Sequence, residues 1–193
     1  MREIALELKL RIENLDTLCF PERNLPVVLR DRPPFYGEPQ IALAHCPGDI
    51  SRDEYRICVG NIDTYIEASL PYHIHVMLEQ ADPALEKKMV PFTKKETLLT
   101  LALHEVRHRV QYHNKIEIIS PIHTKQIFRC NFWGKVQEEH YRNVPGGAQE
   151  FDALFISHYG AYEFRQGRLA SDEAVRKILL MTPGEFLNRE RQK

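Results

Sequence analysis

The sequence predicts an α+β fold in a single domain that spans residues 1–193, with a small, mostly antiparallel sheet followed by helices. Short apolar runs rich in β-branched residues occupy the first third of the chain, and turn residues separate them. From residue 93 onward, segments with capping residues and helical periodicity dominate. A chain of 193 residues is long enough to bury one sizeable core, so a second domain is not required.

The N-terminal part is predicted to supply the sheet. Apolar residues occupy every second position of residues 4–12, and this period of two predicts a half-buried strand, although the Leu, Glu and Lys content also favours a helix. Further strands are predicted at residues 25–30, 40–46 and 55–60. Residues 61–92 contain three prolines and are predicted to form a surface or lid segment.

The C-terminal part is predicted to be helical. Thr93 and Glu96 have the spacing of a capping box directly ahead of the apolar run 98–103, so a long buried helix is expected to start there and to stop near Asn114. Residues 115–120 are short and β-prone. Three more helices are predicted: one at residues 148–166, ended by a glycine, one opened by a serine at 171, and one capped by a threonine at 182.

The long helix carries the pattern H-E-x-x-H at residues 104–108. Residues four apart lie on one face of a helix, so His104 and His108 can hold the same metal ion. A zinc ion held by two neutral imidazoles and one more side chain keeps a position for water and lowers the pKa of that water from about 15.7 toward ~7. Glu105 lies beside the histidines and can accept the proton. The alternative is an amphipathic helix whose histidines and glutamate face solvent.

A catalytic zinc site usually has a third protein ligand, and four residues are candidates. His113 lies nine residues after His104, where a third histidine of the long H-E-x-x-H pattern would lie ten residues on. His140 follows two glutamates in an unclear context, and His123 follows His108 by fifteen residues. Glu150 is the preferred ligand, because small side chains at 153, 157 and 161 would let its helix pack closely against the first.

The motif at 104–108, followed by Gln-Glu-Phe-Asp-Ala-Leu-Phe at 149–155, resembles the gluzincin-type zinc metallopeptidases, and most of all the ImmA/IrrE-like metallopeptidases and minigluzincins. The resemblance implies a zincin-like fold and one Zn²⁺ ion held by His104, His108 and Glu150. It implies that Glu105 is the general base in hydrolysis of a peptide or protein substrate. Many gluzincins have an aspartate four residues after the glutamate ligand, which orients a ligand histidine, and this chain has Leu154 there. The orienting group must therefore come from elsewhere in the chain, or the orientation must be weaker.

The resemblance leaves other roles open. His123 resembles the third histidine of the SprT-like proteases, which gives an alternative ligand set. Candidate donors to the oxyanion are Tyr112, His140, Tyr141 and His158. The family layout also suggests that the strand at 55–60 is an edge on which an extended substrate adds. A non-catalytic, zinc-stabilised binding domain or a pseudoprotease would carry the same motif.

Composition excludes several other classes of protein. The net charge is −1, and Arg107 with Arg109 forms too small a basic cluster to indicate a nucleic-acid or lipid partner. The sequence predicts no signal peptide and no membrane span. The four cysteines are scattered without a CxxC pair, so reduced thiols in a cytoplasmic protein are expected.

Overall fold

The computed structural model describes residues 2–30, 44–45, 54–59, 92–127 and 146–192. These residues form an α+β arrangement that is mostly helical and has one small sheet. The helices are α1 (Arg2–Cys19), α2 (Lys94–Asn114), α3 (Pro121–Ile127), α4 (Gly147–Arg165), α5 (Asp172–Leu179) and α6 (Pro183–Arg191). The strands are β1 (Val27–Arg30), β2 (Ala44–His45) and β3 (Tyr55–Cys58). Within these ranges, no helix has the length and apolar character needed to cross a membrane.

The three described strands form a mixed sheet with β3 in the centre. Strand β1 runs parallel to β3, with Val27 opposite Tyr55, and β2 runs antiparallel to β3, with Ala44 opposite Ile57. The expected mostly antiparallel character is therefore not confirmed by these strands. The prediction that the strand at 55–60 is an edge is wrong, because β3 has a neighbour on both sides.

The N-terminal segment is a helix, so the strand predicted at residues 4–12 is wrong. Its buried side chains recur at helical spacing and are Ala5, Leu8, Ile12 and Leu15. Of the alternating set that suggested a strand, Leu6 and Leu10 are 48% and 58% exposed. Apolar residues in this segment occupy every second position, but they also occupy the i, i+3, i+4 and i+7 positions of one helix face. The composition, which favours a helix, indicated the correct structure.

The C-terminal predictions agree with the structure, apart from one segment. Helix α2 begins after Thr93, where both halves of the capping box are formed, and it ends at Asn114. Helix α6 follows a second capping box at Thr182. The β-prone residues 115–120 form no strand, because this segment bonds to a buried side chain instead of to a neighbouring strand: the amide of Ile119 donates to Asp152 Oδ1 at 2.6 Å.

Helices α2 and α4 pack antiparallel along most of their length and form the most extensive helix–helix contact among the described elements. The small residues predicted to allow this packing are all buried: Ala153, Ser157 and Ala161. At Gly160 the two helices lie so close that an added Cβ atom would be 2.5 Å from Leu103 Cδ1. The absence of a side chain at 160 thus sets the distance between the two helices that carry the candidate ligands.

A buried ion pair fixes α1 against α2. Asp16 and Arg109 are 0% and 2% exposed and bond to each other through Oδ2 and Nη1. Asp16 also accepts from the Tyr55 hydroxyl at 2.6 Å and from the Leu25 amide at 3.0 Å. One carboxylate on α1 therefore holds α2, β3 and the chain entering β1.

Some predictions lie outside the described residues. They concern the lid segment at 61–92, of which only Phe92 is described, and the side chains of His140 and Tyr141. Among the cysteines, Cys19 is described as a free thiol, and its burial raises its pKa to about 11. The cytoplasmic location stays a prediction.

We expect Gly160→Val to lower the free energy of unfolding by about 1–3 kcal/mol, because the added atoms would overlap the buried Leu103 side chain. Gly184→Val is the matched control, since a Cβ atom at 184 meets nothing within 4 Å. Urea denaturation followed by circular dichroism measures both. A Gly160→Val protein as stable as the control would contradict the close packing of α2 on α4.

Asp16→Asn should cost about 3–5 kcal/mol of stability, because it leaves the Arg109 guanidinium buried without its counter-charge. The control is Glu173→Gln, which breaks an exposed pair with Lys177 and should cost about 1 kcal/mol at most. Equal midpoints in thermal denaturation for the two variants would refute a central role for the buried pair.

Candidate metal centre

The candidate ligands come from α2 and α4, and the ends of these helices are held together. Glu96 accepts from the Thr93 amide at 2.7 Å and from Arg165 Nε of α4 at 2.6 Å. Burial alone would raise the pKa of Glu96, but the bonds from Arg165 and Thr93 outweigh it and lower that pKa. The carboxylate that caps the start of α2 is thus also an anchor for the end of α4.

Three side chains with metal-binding atoms converge between these helices. The Nε2 atoms of His104 and His108 lie 3.1 Å apart. Glu150 Oε1 lies 3.1 Å from His108 Nε2, and Glu150 Oε2 lies 3.5 Å from His104 Nε2. The imidazole planes are perpendicular, with ring centroids 4.6 Å apart. Across the described ranges, this is the group of three or more His, Cys, Asp or Glu residues that could hold a metal ion.

The spacing of these atoms fits one small cation. Ligands that lie about 2.1 Å from a tetrahedral zinc ion are about 3.4 Å from one another. In the cluster the two imidazole nitrogens are 3.1 Å apart, and the Glu150 carboxylate lies 3.1 Å from one through Oε1 and 3.5 Å from the other through Oε2. Two imidazole nitrogens and a carboxylate oxygen form a common catalytic zinc donor set. His104, His108 and Glu150 therefore form a group that could hold a metal ion.

The charges within the cluster also favour a cation. Burial alone would raise the pKa of Glu150, but hydrogen bonds from His104 and His108 outweigh it and hold that pKa far below its ordinary value. Burial alone would lower the pKa of His108, but Glu150 and then Glu105 outweigh it and raise that pKa. Glu150 is therefore a carboxylate at neutral pH, which is the form that binds a metal.

Glu105 is placed beside this cluster and has no bond of its own. It is 5% exposed, and its charge acts on His108. Within the part of the chain that the structure describes, its carboxylate makes no hydrogen bond or ion pair. The fully buried side-chain atoms that lack a partner in the described residues do not include its oxygens, so the carboxylate keeps some contact with solvent. It can therefore accept a proton from a water molecule beside the histidines.

The alternative third ligands are not part of the cluster. His123 Nδ1 accepts from the Ser120 amide at 3.0 Å, at the start of α3. His113 lies at the exposed end of α2, where its ring centroid is 5.5 Å from that of Phe20. Glu150 is therefore the candidate that the fold brings to His104 and His108.

Two of the proposed oxyanion donors, Tyr112 and His158, lie in the part of the chain that the structure describes. The first is exposed, and the second bonds to the backbone. Tyr112 is 49% exposed on α2. His158 Nδ1 lies 2.7 Å from the carbonyl oxygen of Leu154 in the same helix, so this nitrogen donates to the backbone. The oxyanion-stabilising group is not identified by these contacts.

The sequence analysis missed three buried polar residues next to the cluster. Arg107 and Asp152 are both 0% exposed and form a bidentate pair, with Nε–Oδ2 and Nη2–Oδ1 distances of 2.6 and 2.9 Å. Gln111 Nε2 donates to Asp152 Oδ2 at 2.7 Å, and Gln111 Oε1 lies 3.1 Å from His108 Nδ1. The available signal was the spacing of 107 and 111, four residues apart on a helix already predicted to be buried.

Comparison of the chain with protein-family models, curated proteins and solved structures finds no match. The gluzincin resemblance therefore stays a prediction that depends on the motif at 104–108 and the segment at 149–155. The geometry of the cluster is independent of that resemblance, because it is read from the packing of α2 on α4.

Glu150→Ala should weaken zinc binding by more than about 100-fold, since even the loss of a group that only orients a ligand costs about 10–100-fold. His123→Ala is the matched control and should leave the affinity unchanged. Competition with a chromophoric chelator measures both dissociation constants. Loss of binding in His123→Ala with normal binding in Glu150→Ala would favour the SprT-like ligand set.

Proposed function

We propose that this protein is a zinc-dependent peptidase of the zincin type. The observation that carries the proposal is the convergence of His104, His108 and Glu150, whose nitrogen and oxygen atoms lie 3.1–3.5 Å apart. Beside them lies Glu105, whose carboxylate makes no bond to any of the described residues. A purely structural zinc site would usually be closed by four protein ligands. Three ligands and an adjacent base are the arrangement that hydrolytic zinc sites use.

The chemistry divides between the ion and the protein. A bound zinc ion supplies a Lewis acid that activates water and polarises a carbonyl group. Glu105 takes the proton from the attacking water and passes it to the nitrogen of the leaving amine. Because no side chain in the described part competes for its oxygens, Glu105 can serve both as acceptor and as donor.

The proposed substrate is an extended peptide or a segment of a protein. Among the described strands, β2 is an edge strand and also contacts α2, the helix that carries the motif. A substrate strand that pairs with this edge would gain main-chain hydrogen bonds and lie along the motif helix. This placement replaces the expected edge at 55–60.

A non-catalytic, zinc-stabilised binding domain is the second candidate. It is favoured by the position of the cluster, which joins α2 to α4 across the most extensive helix contact of the described chain. An ion there would strengthen that contact whether or not it also activated water. The two candidate functions differ in one respect: Glu105 acts as a general base in the peptidase and has no catalytic role in the binding domain.

We expect Glu105→Gln to bind one zinc ion as wild type does and to lose peptide hydrolysis by a factor of about 10²–10⁴, because the amide cannot accept the proton. Glu117→Gln changes an exposed glutamate shortly after the same helix and should retain full activity. Zinc content and cleavage of a broad peptide library are measured on the same samples. Wild-type cleavage by Glu105→Gln would remove Glu105 as base, and zinc binding without any cleavage by the wild type would favour the binding domain.

A further inference from the structure

We infer that Gln111 is a positioning residue of the metal centre, and that it fixes the tautomer of His108 through a buried chain that runs from Arg107 to Asp152 to Gln111 to His108. The inference rests on the proposed zinc site, because it assigns the group that orients one of its ligands. Leu154 stands where the resemblance places an orienting aspartate. A residue of the motif helix itself takes over that task.

The orientation of the Gln111 amide follows from its partners. Its Nε2 atom donates to Asp152 Oδ2 at 2.7 Å and to the carbonyl oxygen of Gln149 at 2.9 Å, which uses both of its hydrogens. Both partners are acceptors, so they hold the nitrogen side of the amide. The oxygen side must then face His108 Nδ1, at 3.1 Å.

This orientation determines where the neutral His108 ring carries its proton. Gln111 Oε1 can only accept, so Nδ1 of His108 carries the hydrogen. Nε2 is then the ring nitrogen left for a metal ion, and it lies 3.1 Å from both His104 Nε2 and Glu150 Oε1. Without an ion Nε2 can donate to Glu150, and a bound ion would replace that hydrogen. His108 is therefore held in the tautomer that binds a metal through Nε2.

The Arg107 end of this series of hydrogen bonds is held in place by the backbone. Asp152 is held by two bonds from Arg107, and Arg107 is held in turn by the carbonyl oxygens of Leu179 at 2.6 Å and Met181 at 3.0 Å. All of these groups are buried, so water cannot replace one bond by another at low cost. His104 has no comparable partner for its Nδ1 atom within the described ranges, so the two histidines differ in how firmly they are oriented.

The test compares Gln111→Leu with Gln126→Leu, which makes the same change at an exposed position of α3. We expect Gln111→Leu to bind zinc about 10–100-fold more weakly than wild type and Gln126→Leu to bind it equally well. Competition with a chromophoric chelator gives the affinities. Circular dichroism of the zinc-free proteins shows whether each variant is folded.

A second measurement reads the hydrogen bond directly. Nitrogen-15 NMR of the zinc-bound wild-type protein should show a slowly exchanging hydrogen on His108 Nδ1, because that hydrogen is donated to the buried Gln111 Oε1. In zinc-bound Gln111→Leu the same hydrogen should exchange faster, because its acceptor is gone. Equal exchange in the two proteins, or equal zinc affinity of a folded Gln111→Leu protein and wild type, would overturn the inference while leaving the zinc site intact. A wild-type protein that takes up no zinc would overturn the zinc site, and the inference with it.

Discussion

The salt bridge between Arg107 and Asp152 is the interaction on which the arrangement of this protein depends. Asp152 accepts two bonds from Arg107, one from Gln111 and one from the amide of Ile119, so both of its oxygens are fully used. Such a pair is tolerated in a core only when its bonds are complete, because desolvation of two charges costs several kcal/mol per ion. Here it joins α2, α4, the segment before α3 and the turn after α5. Breaking it would disturb all four together.

The salt bridge also determines how α2 lies along α4, which apolar packing alone specifies weakly. Three contacts fix the alignment of the antiparallel helices. They are the ion pair of Glu96 with Arg165 at one end, the packing of Leu103 on Gly160 in the middle, and the ion pair of Arg107 with Asp152 near the ligands. A shift of one helical turn, about 5.4 Å, would break all three contacts. Arg107 precedes His108, and Asp152 follows Glu150 by two residues. The same alignment that pairs the charges therefore places the imidazoles opposite the carboxylate.

What could be predicted from the sequence was mostly local. The facing of His104 and His108 follows from helix geometry, and the start of α2 follows from the capping box at Thr93. The third ligand required a long-range argument, and the small residues of α4 supplied it because they showed which face could approach another helix. The N-terminal helix was missed because its apolar residues fit both the two-residue period of a strand and the 3.6-residue period of a helix. The exposure of Leu6 and Leu10 in the structure distinguishes the helix from the strand.

The orienting group of the centre could not be predicted in the same way. From the sequence alone Gln111 had no assigned role, and Asp152 entered only as part of the segment at 149–155 that carries the resemblance. Their roles appear once α4 lies against α2, since the bonds of Asp152 span up to 45 residues of sequence. Polar residues at buried positions of an apolar helix were nevertheless a usable signal, because each must find a partner inside the protein.

The same bonds explain why the cluster favours a divalent cation. Arg107 neutralises Asp152, so this inner pair adds no net charge to the site. The remaining acidic groups are Glu105 and Glu150, and two neutral imidazoles contribute lone pairs but no charge. A divalent cation balances two carboxylates and leaves the imidazole nitrogens unprotonated, so that they can act as ligands. Because Gln111 keeps one hydrogen on His108 Nδ1, the Nε2 lone pair is left facing the position where that cation would bind.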